Sequence, residues 1–191
     1  MKSSILKHDF SIERYGIHVR LVNETDAEFI VKLRTDTRLG QFINSTDNDI
    51  TKQKEWISNY KKREGNGLEY YFLFEKPLGC RLGVSRIYNV TADTFETGSW
   101  IFKKDAPFGS AFLGDIICHE IAFELFPDKV NLHDIKKANF SVNKYAEEFH
   151  PKLISETEDQ RSFKNTRDNY LHYKNLYLKK LLPLVERFNN K

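Results

Sequence analysis

One strongly apolar helix candidate, Gly109–Phe126, constrains the fold more than any other part of the chain. Its apolar residues recur at helical spacing and form a stripe wide enough to cover a β-sheet over most of the helix. Three strand candidates precede it, at Leu68–Glu75, Arg81–Val90 and Thr94–Phe102, with turn residues between them. Because such short turns join neighbouring antiparallel strands, we expect a meander with the apolar helix packed on one face.

Further strand and helix candidates flank this unit on both sides. Alternation, helical spacing and turn residues predict, in chain order, a strand at Ile17–Val22 paired with Phe10–Tyr15, a helix from Thr25, a helix at Asp49–Arg63, a strand at Val130–Ser141, a short helix at Asn143–Phe149, strands at Leu153–Gln160 and Asn169–Leu176, and a terminal helix through Leu181 and Val185. This order predicts an α+β protein with a mixed, mostly antiparallel sheet flanked by helices.

Length and composition are those of one folded domain. The chain has 191 residues, of which 40% are hydrophobic and 30% charged, and no Pro/Gly-rich linker divides it. We therefore predict a single domain over residues 1–191, with residues 1–15 as an N-terminal extension and residues 177–191 as a C-terminal helix. The net charge of +3 is too small and too evenly spread to indicate a nucleic-acid partner.

No segment has the composition of a signal peptide or of a membrane span, which needs about 18 or more apolar residues in a row. The cysteines Cys80 and Cys118 form no CxxC pair, so zinc and redox chemistry are unsupported. We expect a cytoplasmic protein with two buried thiols, no metal and no membrane partner. Five histidines without metal-ligand spacing are interpreted as structural or surface residues: His8, His18, His119, His133 and His172.

The segment Glu96–Asp115 runs from a strand through a loop of small residues into the apolar helix. A helix N-terminus presents unpaired backbone N–H groups and a partial positive charge, which suit a pyrophosphate. Gly109, Ser110 and Ala111 leave this backbone accessible. The loop is neither a Walker P-loop nor a dinucleotide-binding GxGxxG turn. The alternative is that Gly109 only permits a tight turn between strand and helix.

Three short motifs occur together in one known family. They are Glu-x-Gly-x-Trp-Ile at 96–101, Ala-x-x-Gly-x-Ala at 106–111 and Asn-x-x-Ala-x-x-x-His at 143–150. They resemble the fourth strand, the coenzyme A pyrophosphate loop and the helix after the fifth strand of GNAT acyltransferases of the ribosomal-protein-alanine acetyltransferase type. The resemblance covers roughly residues 17–176. It implies a single GNAT-type domain with a central sheet of about seven strands, splayed between strands 4 and 5.

A second resemblance concerns the region before the meander. Residues 33–43 and the helix at Asp49–Arg63 resemble the substrate-side helices of GNAT enzymes that act on nucleotide-linked amino sugars, such as the pseudaminic-acid pathway type. The resemblance implies that the fork-shaped Arg34 guanidinium binds the diphosphate of such an acceptor. The alternative for Arg34 is a local salt bridge to Glu28 or Asp36.

The family resemblance also implies a co-substrate and the residues that contact it. The co-substrate is acyl-coenzyme A, carrying acetyl or a larger acyl group, and no metal is needed. Backbone N–H groups at the splay hold the thioester carbonyl and the pantetheine, while the loop holds the pyrophosphate. The implied contacts are Trp100 beside the acceptor and, at the co-substrate, Ile101, Phe102, Lys103, Phe108, Gly109, Ser110, Ala111, Phe112 and Asn143.

Two side chains are implied for proton transfer. Glu96 is the candidate general base, because family members often place a carboxylate on this strand, and His150 is the candidate proton donor to the thiolate. Two positions depart from the family pattern: Ala106 replaces the usual Arg or Gln, and His150 replaces the usual Tyr. The alternatives are that Glu96 lies on the sheet surface and that His150 caps the short helix before Pro151.

The leading functional hypothesis is direct attack, in a ternary complex, of the primary amine of a nucleotide-linked amino sugar on acyl-coenzyme A. The small residues Ala106 and Ala111 are consistent with an acyl group somewhat larger than acetyl. A protein N-terminus is the alternative acceptor, and a non-catalytic acyl-coenzyme A-binding module is a third hypothesis. The apolar last helix also favours a homodimer.

Overall fold

The computed structural model describes residues 5–77 and 79–189. This part of the chain contains β1 (Ser11–Arg14), β2 (Ile17–Leu21), a short 3-10 helix (Glu24–Asp26), α1 (Ala27–Thr35), α2 (Ile50–Gly65), β3 (Tyr70–Glu75), β4 (Arg81–Tyr88), β5 (Thr94–Phe102), α3 (Ser110–Leu125), β6 (Val130–Lys136), α4 (Phe140–Glu147), β7 (Lys152–Glu156), β8 (Gln160–Asn165) and α5 (Arg167–Asn189). Residues 1–4 of the predicted N-terminal extension and residues 190–191 of the predicted terminal helix lie outside the described residues.

The described strands form one sheet with the order β1-β2-β3-β4-β5-β6-β8-β7. Every neighbouring pair is antiparallel except β5 and β6, which run parallel, so the predicted mixed, mostly antiparallel sheet is confirmed. It has eight strands where about seven were expected, because Ser11–Arg14 of the predicted extension pairs with β2. The turn residues Tyr15 and Gly16 have φ of 53° and 71°, which match the twist of a tight hairpin.

Helices cover both faces of the sheet, and each face has its own apolar core. The face that carries α3 has the larger cluster of buried side chains. The opposite face, covered by α1 and α2, has a smaller cluster that includes Ile30, Ile57, Tyr71 and Ile101. Since β3, β4 and β5 contribute to both clusters, the middle of the sheet is buried on both sides.

The ring of Phe102 is held between two glycines. A Cβ added at Gly83 on β4 would lie 2.3 Å from Phe102 Cγ, and one added at Gly114 on α3 would lie 2.2 Å from Phe102 Cζ. Both distances are far below van der Waals contact, so only glycine lets β4 and α3 close on this ring. The contact holds the first half of α3 against the end of β5.

We expect Gly114→Ala to destabilise the protein although alanine is the better helix former. The added methyl group collides with a ring that Gly83 prevents from moving away, and overpacking of this kind costs about 1–3 kcal/mol. Urea unfolding measures the difference from wild type. Gly65→Ala is the matched control, because a Cβ there meets nothing within 4 Å. A Gly114→Ala protein as stable as wild type would contradict the packing argument.

The predicted strand at Asn169–Leu176 is wrong, because these residues belong to α5. The terminal helix begins at Arg167 rather than at residue 177. The rings of Tyr170 and Tyr177 both pack on Phe149, with centres 5.0 and 5.5 Å away. The aromatic residues that indicated a strand are therefore one face of a helix, and their helical spacing was overlooked.

The predicted strand Val130–Ser141 ends early, where β6 ends, and α4 begins before its predicted position. Asn139 is the N-cap of α4, since its side chain accepts a hydrogen bond from the amide of Val142. Asn143, at which the helix was predicted to begin, lies inside it. Its side-chain amide donates to the carbonyl oxygens of Lys136 and Asn139 at 2.9 and 2.8 Å, which ties α4 to the end of β6.

Candidate active site

The strands β5 and β6 pair only at their starts, over three residue pairs that end at Glu96 and Leu132. Beyond this point β6 pairs with β8, while β5 pairs only with β4, so the two strands separate. The gap between residues Thr97–Phe102 of β5 and His133–Lys136 of β6 is termed the wedge. One edge of β5 is left without a neighbouring strand along it.

The backbone of β5 presents hydrogen-bonding groups to the wedge. The amide of Lys103 donates to the carbonyl oxygen of Leu82, next to β4, at 2.9 Å. Because successive amides along a strand point to opposite edges, the amide of Phe102 points away from β4 and into the wedge. An extended ligand can therefore bind along β5 as an added strand.

A β-bulge at Ser99 changes which side chains of β5 face each way. Ser99 has a positive φ of 50°, and the register with β4 shifts between Val84 and Arg86. The extra residue directs the side chains of both Thr97 and Trp100 to the α3 face, whereas Ser99 faces α1. A ligand in the wedge can thus meet side chains from both faces of the sheet.

A cavity of ≈ 520 Å³ occupies the wedge. One wall comes from α3 and α4 and includes Ala111 and Tyr145, and another comes from the segment after α1 and includes Leu39 and Phe42. Small-molecule and cofactor sites commonly have volumes of roughly 300–1,000 Å³. Because its walls come from both faces of the sheet, the cavity can hold two substrates that meet at β5.

The narrow end of the cavity holds a chain of hydrogen-bonded, buried side chains. Tyr145 donates its hydroxyl to Asp115 Oδ2 at 2.8 Å, and the other oxygen of this carboxylate lies 3.3 Å from His119 Nδ1. His119 Nε2 lies 3.2 Å from Thr97 Oγ1, which also accepts from Asn131 Nδ2 at 3.1 Å. Buried polar groups need such partners, so the five side chains hold one another in place.

Burial and neighbouring charges set the protonation of this end of the cavity. Burial lowers the pKa of His119, but the charge and hydrogen bonds of Asp115 outweigh it, so this pKa lies above its usual value. Burial, followed by the positive charge of His119, lowers the pKa of His133 to about 4. Burial, followed by Asp115, holds the pKa of Tyr145 well above its usual value. His119 therefore keeps its second proton to higher pH than His133 does.

On the opposite face of the sheet, Arg34 of α1 borders a second cavity of ≈ 410 Å³. Its guanidinium donates to Thr46 Oγ1 and, at 2.9 Å, to the carbonyl oxygen of Asn44. A third nitrogen lies 3.4 Å from Ser99 Oγ, at the bulge. Arg34 therefore separates the second cavity from the wedge.

The local salt bridge that was the alternative for Arg34 is not formed. Glu28 pairs with Lys32 at 2.7 Å, and Asp36 accepts from the backbone amides two and three residues after it. Within residues 5–77 and 79–189, no carboxylate forms a salt bridge with Arg34. Its charge is available to a ligand.

Solved structures of known proteins share this fold. FdhC, described as a nucleotide-linked sugar GNAT, is 30% identical over 91% of this chain and 99% of its own chain, with a TM-score of 0.79. The chain belongs to the GNAT superfamily. Two further structures show the fold alone: the ribosomal-protein-S5-alanine acetyltransferase of Vibrio fischeri (15% identity, 85% of this chain and 99% of that one, TM-score 0.68) and the ribosomal L7/L12 acetyltransferase RimL (12% identity, 82% and 94%, TM-score 0.66). No protein-family model matches the sequence, and a comparison with curated protein sequences found no match.

Membership of the GNAT superfamily confirms the resemblance found in the sequence and makes the protein an acyl-coenzyme A-dependent N-acetyltransferase by class. The predicted splay is the wedge, which lies between β5 and β6 because Ser11–Arg14 counts as the first strand. The residues fit the co-substrate of a GNAT enzyme. Asn143 Oδ1 is buried without a hydrogen-bond partner among the described residues, and no described side chain caps α3. The Asn143 oxygen can therefore accept a hydrogen bond from an amide of the co-substrate. The uncapped start of α3 leaves backbone amides that can bind a phosphate.

Several predicted co-substrate residues of this GNAT domain lie at the wedge. Ile101, Phe102 and Ala111 line the cavity directly. The ring of Phe112 packs on Tyr145, with 5.0 Å between centres, and so supports the α4 wall. Their contacts with coenzyme A stay predictions.

The loop before α3 packs against the C-terminal helix. Gly109 has a φ of 81°, and a Cβ there would lie 2.5 Å from Val185 on α5. The ring of Phe108 packs on Phe188, with centres 4.9 Å apart. Gly109 therefore serves both the turn and the packing of α5. Binding of pyrophosphate by Phe108, Gly109 and Ser110 stays a prediction.

Two further predicted contacts have partners within the protein. Lys103 Nζ lies 3.5 Å from Asp105 Oδ2. Trp100 donates its indole N–H to the carbonyl oxygen of Ala111 at 2.9 Å, which holds its ring on the α3 face. This face is opposite Arg34, and the predicted contact of Trp100 with the acceptor stays a prediction.

The two predicted catalytic side chains lie far apart in the fold. Glu96 is half-buried on the Arg34 side of β5 and accepts a hydrogen bond from Asn89 Nδ2 at 3.1 Å. His150 is exposed, packs its ring on Tyr173 with 4.3 Å between centres, and borders a separate pocket rather than the wedge. The structure thus places Glu96 on the Arg34 face of the sheet, apart from the residues that line the two cavities, and leaves His150 at a separate pocket. Both catalytic roles stay predictions.

The sequence analysis missed the buried chain at the narrow end of the cavity. His119 was interpreted as structural or surface because it has no metal-ligand spacing. A signal was present: Asp115 and His119 are four residues apart in an otherwise apolar helix, and polar groups that such a helix buries need partners. Thr97, their neighbour in space, gave no signal of its own.

None of the helices in the described ranges is long and apolar enough to cross a membrane. In the same ranges, no group of three or more His, Cys, Asp or Glu side chains is placed to hold a metal ion. Cys118 is buried as expected, but Cys80 is exposed, because it lies in the turn that leads into β4.

Proposed function

We propose that the protein transfers an acetyl or somewhat larger acyl group from acyl-coenzyme A to the primary amine of a nucleotide-linked amino sugar. The observation that carries this proposal is the 30% identity, over 91% of the chain, with a protein described as a nucleotide-linked sugar GNAT. The ribosomal-protein acetyltransferases, at 15% and 12% identity, share the fold but do not indicate the acceptor.

The second cavity supports an anionic acceptor. Arg34 and Arg86 both line it, together with Trp56 and Tyr71. The Tyr71 hydroxyl and Arg86 Nε are buried without a hydrogen-bond partner among the described residues, and both can donate. Arg86 already pairs with Glu69, so Arg34 supplies the unpaired charge. This charge and the two free donors suit a diphosphate, so the nucleotide is expected here, with the amine near Ser99, which Arg34 contacts.

Two carboxylates also border this cavity, but both have partners. Asp49 caps α2 by accepting from the amides of Thr51 and Lys52. Asp47 pairs with Lys52 Nζ at 2.8 Å. The charge that remains for a ligand is therefore positive.

The chemistry follows from the two sides of the wedge. Glu96 takes a proton from the acceptor ammonium, directly or through a water, and the neutral amine attacks the thioester carbonyl. A backbone amide on the free edge of β5 donates to the carbonyl oxygen as it becomes an oxyanion. The C–S bond then breaks, the electron pair goes to sulfur, the nitrogen releases its extra proton to water, and the thiolate takes up a proton to leave as the free thiol.

Thiol release tests the acceptor class. The purified protein is incubated with acetyl-coenzyme A or a larger acyl-coenzyme A and with dTDP- or UDP-linked amino sugars. We expect release with at least one amino sugar and none with the same nucleotide sugar carrying a hydroxyl in place of the amine. Absence of release with every amino sugar would remove this acceptor class.

Arg34→Ala is expected to raise the KM for the nucleotide-linked acceptor on the order of 10-fold or more, with a smaller change in kcat. The variant removes a charge-assisted contact that is already made before the chemical step. Lys32→Ala is the control, because this lysine lies on the same helix with its side chain 73% exposed. An acceptor KM equal to that of the control would show that Arg34 only holds the loop at Asn44.

A protein N-terminus is the second candidate acceptor, because ribosomal-protein acetyltransferases share the fold. Peptides with free N-termini in the same thiol-release assay separate the two acceptor classes. Coenzyme A binding without release for any amine would favour a non-catalytic module. The homodimer and the cytoplasmic location stay predictions.

A further inference from the structure

The hydroxyl of Thr97 lies where β5 and β6 begin to separate. Thr97 is the first residue of β5 beyond the last pair, Glu96 with Leu132, and its side chain lines the wedge cavity. Its oxygen has two neighbours, Asn131 Nδ2 at 3.1 Å and His119 Nε2 at 3.2 Å. These two contacts decide where the hydroxyl proton points.

The contact with Asn131 is set by the direction of its side-chain amide. Asn131 Nδ2 also donates to the carbonyl oxygen of Leu132 at 3.4 Å, and Asn131 Oδ1 lies 3.2 Å from His133 Nδ1, which donates to it in the tautomer with a proton on Nδ1. The Asn131 NH₂ group therefore faces Thr97. An NH₂ group only donates, so the Thr97 oxygen must accept there.

The contact with His119 depends on the protonation of its ring. Nδ1 lies 3.0 Å from the carbonyl oxygen of Asp115 and 3.3 Å from its Oδ1, both acceptors, so Nδ1 carries a proton. When Nε2 is also protonated, it donates to Thr97, whose oxygen then accepts twice and must direct its own proton elsewhere, towards the cavity. When Nε2 is bare, the Thr97 hydroxyl turns inward and donates to it.

The surroundings of His119 favour the doubly protonated ring. On its own helix it faces Asp115, whose second oxygen is held by Tyr145 of α4 at 2.8 Å. From α5, the ring of Tyr170 stacks on it with centres 4.6 Å apart. From β6 it faces only the neutral His133 and the amide of Asn131.

The other acidic group of this part of α3 is already engaged. Glu120, the next residue along the helix, is bonded to Arg14, Tyr15 and Lys174. The nearest charge to His119 is therefore the Asp115 carboxylate. With the His119 ring doubly protonated, the Thr97 proton points into the wedge.

We propose that Thr97 donates the proton that the coenzyme A thiolate takes up as it leaves, and that His119 positions and resupplies this proton. As the C–S bond breaks, the electron pair goes to sulfur, the Thr97 hydroxyl proton moves to sulfur, and the His119 Nε2 proton moves to the Thr97 oxygen. Water reprotonates His119 after the products leave. This role rests on the proposed acyl transfer but not on the identity of the amine. Thr97 takes the place of the exposed His150 as the proton donor to the thiolate.

Thr97→Val tests the donor, because valine keeps the shape of threonine without its hydroxyl. With an accepted amine and saturating acyl-coenzyme A, we expect kcat to fall on the order of 10²-fold with little change in the KM for acyl-coenzyme A. Thr97→Ser keeps the hydroxyl and should restore most of the rate. Thr94→Val, on the same strand, is the control. A Thr97→Val enzyme as fast as Thr97→Ser would overturn the proposal.

A second measurement needs no acceptor and so separates this proposal from that of the nucleotide sugar. A donor aimed at sulfur stabilises the thiolate, so the pKa of the bound coenzyme A thiol, followed by ultraviolet absorption, should be lower in wild type than in Thr97→Val. Equal values would overturn the Thr97 role even where an amino sugar is accepted. Different values would support it even where every amino sugar fails.

The pH dependence tests His119. Its pKa is raised by Asp115, so the donor form is present below that pKa and is lost as pH rises through it, which gives kcat a falling alkaline limb. Asp115→Asn removes the charge that raises the pKa of His119 but not the burial that lowers it, so the alkaline limb should move to lower pH. His119→Gln should remove the limb together with most of kcat. Tyr145→Phe is the control, because it keeps the Asp115 carboxylate and should leave the alkaline limb near its wild-type position. The same alkaline limb in wild type and in all three variants would overturn the role of His119.

Discussion

Glu96→Gln is expected to lower kcat on the order of 10²-fold while leaving acyl-coenzyme A binding unchanged. The carboxylate is half-buried on the Arg34 side of β5, and Asn89 Nδ2 holds one of its oxygens at 3.1 Å. Glutamine keeps the size of the side chain but cannot take a proton from an ammonium group. Steady-state thiol release with an accepted amine gives kcat, and calorimetry with coenzyme A gives binding.

The pH dependence of the Glu96→Gln variant separates a base from a surface carboxylate. The difference in kcat between wild type and Glu96→Gln should shrink as pH rises, because more of the amine is then neutral without a base from the enzyme. Glu28→Gln is the matched control, since that carboxylate is 60% exposed on α1 and pairs only with Lys32. A Glu96→Gln enzyme that turns over like this control would mean that the carboxylate is a surface group.

Asp26→Asn is expected to cost about 3–5 kcal/mol of folding free energy. The carboxylate is 0% exposed and accepts from Arg20 at 2.8 and 2.9 Å, and it pairs with Arg81 at 3.1 Å. It also accepts from the amide of Asn23, which completes the capping box of the 3-10 helix before α1. Asparagine leaves both guanidinium groups without this charge and cannot accept all four bonds.

Urea unfolding at neutral pH measures the loss at Asp26. Asp47→Asn is the matched control, because its pair with Lys52 is exposed, with side chains 70% and 64% accessible, and exposed pairs contribute at most about 1 kcal/mol. If both variants unfold at the same urea concentration, Asp26 is not the electrostatic anchor of α1. A loss confined to Asp26→Asn would show that β2, β4 and α1 are joined through this carboxylate.

Most of the element order could be predicted from local patterns. The strand at Thr94–Phe102 has its predicted bounds, and the predicted helix at Asp49–Arg63 differs from α2 by one residue at its start and two at its end. Such segments carry their own periodicity and their own caps, as Asp49 shows by accepting from two amides of α2. The order also carried the family resemblance, which the structural comparison confirmed.

The misplaced strand at Asn169–Leu176 shows where local patterns fail. A run rich in tyrosine has the composition of a strand, but its side chains are buried only by partners from other elements, Phe149 and His119. The predicted pairing of Phe10–Tyr15 with Ile17–Val22 is confirmed, but the strand itself is shorter, at Ser11–Arg14, because only these four residues pair with β2.

The sequence by itself determined most helices and strands, because these follow from periodicity and capping among neighbouring residues, and its short motifs indicated the family. Only the tertiary structure decided the site. Thr97 meets His119 across 22 residues and Asn131 across 34, and His150 is directed away from the cavity by the packing of α4 and α5. Which residues meet over such separations depends on how β5 and β6 part and where α3 packs, and no local pattern records that geometry.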